Sequence, residues 1–149
     1  MNIIFHALLG LLFARLYVVT DILAVSIGLL FSILPDFDHI PHLKRAFRTG
    51  RFGVESRSPL HELVGLFLVL SGSFAALIIN SHLFLLTLSC GLSHFIVDFL
   101  TRPCRPLYPF STRKVNLSFY PKELKRMFIW DTILTTTLGI MNLVVAIMF

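Results

Sequence analysis

Nineteen consecutive residues, Leu63 to Ser81, contain no ionisable side chain. A run of that length suits one structure above others, a helix that crosses the hydrocarbon core of a bilayer, which takes roughly 20 mostly apolar residues. In lipid every backbone N–H and C=O must find its partner within the protein, and a helix achieves this within one segment. Four more apolar runs accompany this one, so the chain reads as five spans at about 3–19, 22–34, 63–81, 83–100 and 129–149. Composition agrees. The chain is 56% hydrophobic and 14% charged, against about 25% charged for a soluble domain, too few charges to cover a globule in water. The expected fold class is all-α: a polytopic membrane helix bundle of about five transmembrane helices, forming one membrane-embedded helical domain over 1–149. Pro35 closes the second span, and Thr20 or Asp21 can cap its start. Residues 1–5 carry no basic side chain and no small-x-small cleavage site follows, so the first run is read as a span and not as a signal peptide.

The formal net charge of +5 would suggest nucleic acid in a soluble protein. Here its placement gives another meaning. Two polar connectors, His39 to Pro59 and Thr101 to Met127, hold 12 of the 13 Lys and Arg residues. Two crossings separate the connectors, so both fall on one face. The opposite face has only the short turns Tyr17 to Asp21 and Asn80 to Leu83, without a basic residue. Positive-inside bias then places the connectors and the N-terminus in the cytoplasm and the C-terminus outside. The expected location is the cell (inner) membrane, as a multi-pass protein, with no nucleic-acid partner. Within the first connector, Pro41 to Arg48 suits either a helical turn in the headgroup region or a solvated basic loop. Arg102 to Pro109 reads as Pro-rich and extended, and Pro121 as a first-turn proline of the last helix. Cys90 lies in a span and Cys104 in a connector, so a disulfide is not expected.

Ionisable groups inside membrane segments cost about 2.5–3.5 kcal/mol each on insertion scales, which makes each a functional candidate. The set is small: His6 in the first span; Asp36, Asp38 and His39 at the end of the second; His61 and Glu62 at the start of the third; His94 and Asp98 in the fourth. Under the five-span topology all of them reach the cytoplasmic end of their helices. His94 and Asp98, spaced i, i+4, share one helix face. Individually each has a plainer reading: an interfacial histidine, a hydrogen-bonded helix pair, an Asp-capped turn. Their convergence at one depth points instead to a metal site, with His6, Asp36, Asp38, His39, His61, His94 and Asp98 as ligand candidates for one or two divalent ions. Zinc suits this set first, with manganese or iron as alternatives. His82 falls on the opposite face and His42 in a basic segment, so both are left out.

Four stretches carry a resemblance: Leu34-Pro35-Asp36-Phe37-Asp38-His39, Arg57-Ser58-Pro59-Leu60-His61, Leu92-Ser93-His94-Phe95-Ile96-Val97-Asp98-Phe99-Leu100-Thr101 and Pro106-Leu107-Tyr108-Pro109-Phe110-Ser111. Together they resemble the YdjM-like family of membrane-bound metal-dependent hydrolases, which also has an N-terminal histidine where this chain has His6. The resemblance implies a helical membrane protein with a His/Asp metal site. It also shows a departure. The family usually has a second histidine five residues before the one matching His61, where this chain has Ser56, and a Ser where it has Glu62. Glu62 or Glu55 can stand in for the lost ligand.

The function expected from these residues is metal-dependent hydrolysis at the cytoplasmic membrane face, of a phosphoester or lipid-linked substrate, in a phosphoesterase-like reaction. Asp38 or Glu62 would accept a proton or orient the water, and Arg57, with Arg113 and Lys114, would hold phosphate. Membrane lipids and a phosphate-containing substrate are the expected partners, and a homo-oligomer is compatible with the chain. Two other classes fit intramembrane His and Asp: an ion or metal transporter, and a non-catalytic metal-stabilised membrane scaffold. The absence of an evident inverted repeat weighs against a carrier.

Overall fold

The computed structural model describes residues 2–38, 59–101, 103–115, 117, 121 and 124–148. His39, the Pro41 to Arg48 turn, Glu55, Ser56 and Arg57 lie outside the described residues, as do Lys122 and Phe149. The described residues form five α-helices: α1 (Ile3–Leu16), α2 (Ile22–Ile33), α3 (Leu63–Ile79), α4 (Ser81–Thr101) and α5 (Leu124–Met148). Short 3₁₀ turns follow α2 (Leu34–Asp38) and precede α3 (Pro59–His61). Among the described residues there is no β-strand, only an isolated antiparallel bridge between Cys104 and Val115.

Polar residues mark where the helices begin. The Asn2 side chain accepts from the Phe5 N–H (2.8 Å), and Asp21, one of the two candidates for the α2 cap, accepts from Leu23 and Ala24. Asn80 does the same for α4, accepting from Leu83 at 2.6 Å. Hydropathy misplaces the end of α1, which stops at Leu16 although apolar residues run on to Val19. The Val18 and Val19 amides bond back to the Arg15 and Ala14 carbonyls, a Schellman motif that places Val18 in the left-handed position at φ 54°. At the end of α2, Pro35 has no N–H to continue the i→i−4 ladder, and the chain tightens into the 3₁₀ turn that carries Asp36.

Two antiparallel hairpins, α1–α2 and α3–α4, pack together, with α4 in the centre against α1, α2 and α3. Leu86, Cys90 and Ala14 form the core, with Phe13, Tyr17, Val25 and Phe31 around it. A Cβ at Gly91 would collide with the Val69 side chain, so glycine there sets the close approach of α4 to α3. α5 packs on α1 alone of the other helices with a sizeable contact. Asn2 donates to Thr135 at 3.3 Å, Asn142 donates to the Leu8 carbonyl at 2.9 Å, and Arg15 donates to the Asn142 carbonyl. That order of contacts makes α5 run parallel to α1. It also accommodates Arg15, the one basic residue that neither polar connector contains.

Helices α4 and Lys125–Met148 of α5 are long and apolar enough to cross a membrane, whereas Ile3–Leu16, Ile22–Phe37 and Leu63–Ile79 are shorter apolar helices. The expectation of five full spans therefore reduces, in the structure, to two helices of spanning length and three short ones. The segment expected to be extended before Pro109 instead turns at 106–110, because the Cys104–Val115 bridge draws its ends together.

Candidate metal centre

Four separate pieces of chain deliver ionisable side chains to one buried point. His6 comes from the first turn of α1, Asp36 from the 3₁₀ turn after α2, His61 from the 3₁₀ turn before α3, and His94 with Asp98 from one face of α4. In both hairpins this is the end away from the connecting turn. His6 and His94 are fully buried, His61 and Asp98 are 5% exposed, and Asp36 is 9% exposed. His61 Nε2 lies 3.3 Å from Asp36 Oδ1 and 3.7 Å from Asp98 Oδ2; His6 Nε2 lies 3.6 Å from Asp98 Oδ1, and His94 Nε2 lies 3.9 Å from Asp36 Oδ1. The His6 and His94 rings stack, centroids 3.9 Å apart and 29° between planes.

The surrounding residues fix how these groups point. His94 Nδ1 faces the Ser32 carbonyl at 2.8 Å. A carbonyl only accepts, so Nδ1 carries the proton and Nε2 is left with its lone pair towards Asp36 and His6. The Ser32 hydroxyl in turn donates to the His6 carbonyl and joins α2 to the first turn of α1. His61 is placed by Gly65: any Cβ there would overlap the Leu60 carbonyl, so only glycine lets the 3₁₀ turn fold onto the start of α3.

Two triads, His6/His94/Asp98 and Asp36/His61/His94, each place one ligand atom per residue within 4.8 Å of the others. Ligand atoms about 2.0–2.2 Å from a tetrahedral zinc ion lie roughly 3.3–3.6 Å apart. The observed spacings begin at that value. Neither ring nitrogen of His6, nor Nε2 of His94, has a hydrogen-bond partner among the described residues. An unsatisfied buried polar atom costs about 1–3 kcal/mol, and His6 Nε2 and His94 Nε2, each near a carboxylate, are what a cation would relieve. The donor set therefore fits a divalent metal ion.

The remaining sequence candidates divide into three cases. Asp38 lies in the same 3₁₀ turn as Asp36, while His39 and Arg57 lie outside the described residues. Glu62 is buried beside the cluster but is engaged elsewhere: its Oε1 accepts from Arg105 Nε at 2.8 Å. As a replacement for the ligand lost at Ser56, Glu62 thus does not join either triad. His82 is exposed in the first turn of α4, at the far end of the bundle. Sequence reasoning missed Ser32 and Arg105. A serine in an apolar helix commonly bonds its own backbone and carries no signal of its own. Arg105, whose guanidinium also lies 4.6 Å over the Tyr108 ring, was one of seven basic residues in its connector, and only the fold distinguishes it.

Beside the cluster, between α3, α4 and the chain at Cys104–Pro106, lies a cavity of about 280 Å³ onto which His61, Glu62 and Asp98 open. A family model described as "YdjM inner membrane protein" matches residues 1–149, the whole chain. No curated protein and no solved structure matches it.

Proposed function

The chain belongs to the YdjM inner membrane protein family, and from that starting point we propose that it is a metal-dependent hydrolase of the inner membrane, acting at the cytoplasmic face on a phosphoester of a lipid or lipid-linked substrate. The observation that carries the proposal is the stacked His6–His94 pair, buried, with ring nitrogens lacking hydrogen-bond partners and facing Asp36 and Asp98. His6, Asp36, His61, His94 and Asp98 hold the metal, zinc first among the candidates. When bound, a divalent cation lowers the pKa of water and polarises a phosphoryl oxygen.

The other residues supply the rest of the reaction. Glu62 opens onto the same cavity as His61 and Asp98. One of its oxygens is fixed by Arg105 and the other, Oε2, is buried without a hydrogen-bond partner among the described residues. Glu62 takes the proton of the attacking water as the new P–O bond forms and the bond from phosphorus to the lipid oxygen breaks, and that proton passes to the departing oxygen to give the alcohol and restore the carboxylate. Arg105 holds that carboxylate in place and aims its free oxygen. Asp38 is the second candidate for proton transfer, and Arg57, with Arg113 and Lys114, holds phosphate.

The reading takes the chain to cross the membrane five times, with the site at the cytoplasmic end. α1 and α5 run parallel and both hairpins turn at the end away from the cluster, as alternate crossings require. The short helices span by local thinning of the bilayer. A reporter active only in the cytoplasm is expected to be active after Arg113 and silent after Asn80; the reverse would invert the site. Turnover is tested on purified protein with phosphomonoester and phosphodiester lipids. Hydrolysis that disappears with chelation and returns with zinc or manganese is the expected result, and no turnover of any phosphoester by metal-loaded protein would remove the hydrolase reading.

A further inference from the structure

The cavity beside the cluster is chemically two-ended. Its wall is apolar, built from Leu66 of α3 and Leu92, Phe95, Ile96 and Phe99 of α4, while its polar side chains, His61, Glu62 and Asp98, belong to the cluster end. Leu92 is six residues from Asp98 and two beyond His94 on one helix, about 3 Å past His94 along its axis, so the apolar wall starts at the level of the cluster and reaches towards the middle of the bundle. Ile96, 56% exposed, and Leu100, 38% exposed, form the rim on the outer surface of α4. In a protein of the inner membrane family that surface faces hydrocarbon. Water in the apolar part would lack the two to four polar partners it needs, and a small soluble anion would leave that part of the wall bare. A molecule with a polar head and one long apolar tail satisfies both ends, and its tail would point along the bilayer in the direction lipid chains take.

We propose that this cavity is a tail-binding site for one aliphatic chain of a membrane lipid, whose polar head lies at His61, Glu62 and Asp98. The identity of the head as a phosphoester rests on the hydrolase reading; occupancy by the chain is tested without turnover. The protein is placed in phospholipid nanodiscs containing phosphatidic acid with a diazirine on its acyl chain, irradiated, and the adducts mapped by mass spectrometry. Adducts at Leu66, Leu92, Phe95 and Phe99 are expected at several-fold higher density than at Phe67 and Ile78, which are 68% and 88% exposed. Leu66→Trp and Ile96→Trp each fill the cavity and should remove the cavity adducts while sparing those at Phe67 and Ile78 and leaving bound metal unchanged. The exposed Ile96 tolerates the change even if Leu66→Trp unfolds the protein. Cavity density no higher than that at Phe67 and Ile78, or unaltered by Ile96→Trp, overturns the tail site. Cavity adducts in a protein that turns over no phosphoester would keep the tail site and remove the hydrolase reading. Turnover of a water-soluble phosphomonoester without cavity adducts would do the opposite.

Discussion

His6 and His94 stand 88 residues apart in the chain, yet their imidazoles stack at 3.9 Å, fully buried. The arrangement holds polar nitrogens in the interior without hydrogen bonds. Function explains such a cost better than stability does. His6→Leu should therefore leave the metal-free protein as stable as wild type or raise its unfolding midpoint, since it removes two unsatisfied atoms at about 1–3 kcal/mol each. In excess zinc the order should reverse, because wild type keeps both triads and gains more binding energy, about 4 kcal/mol at a thousand times Kd. Thermal unfolding with and without zinc measures both.

Gly65 positions His61 without touching the other ligand candidates. Gly65→Ala should push the 3₁₀ turn away from α3 and carry His61 with it, lowering metal affinity while α4, with His94 and Asp98, stays folded. Metal titration followed by circular dichroism separates that loss from general unfolding.

The Glu62–Arg105 pair predicts an asymmetry. Glu62→Gln keeps a hydrogen-bond acceptor for Arg105 and loses the proton acceptor, so folding and metal content should persist while turnover falls by about 10²–10⁴-fold. Arg105→Gln leaves a buried carboxylate without its cation and should destabilise the fold by about 1–3 kcal/mol. Unfolding midpoints and kcat for the two variants, compared on one preparation, check this.

Val18 occupies a left-handed position that costs a β-branched residue about 1–2 kcal/mol, and its side chain is 65% exposed. Val18→Asn should raise the unfolding midpoint by relieving that strain, with metal content unchanged.

The residue types of the candidate site and their gathering at one end of the helices were legible in the sequence because charge is so scarce here: His94 and Asp98 at helical spacing, and Asp36 and His61 at the ends of apolar runs, stand out against apolar neighbours. Two kinds of feature were not. The first is where helices stop when hydropathy does not, as at Tyr17–Val19, where backbone hydrogen bonds end α1 inside an apolar run and no glycine announces it. The second is the long-range contact, such as Arg105 with Glu62 or Ser32 with His94 and His6, whose partners lie 26 to 62 residues away and are set by packing alone.

The most direct test of the metal centre is elemental analysis of the purified protein beside the His94→Ala/Asp36→Ala double variant, each confirmed as folded by circular dichroism. One or two equivalents of zinc, manganese or iron in wild type, lost from the variant, is the predicted result. Wild-type protein that binds none of these ions when they are supplied, or a variant that retains them in full, would contradict the account.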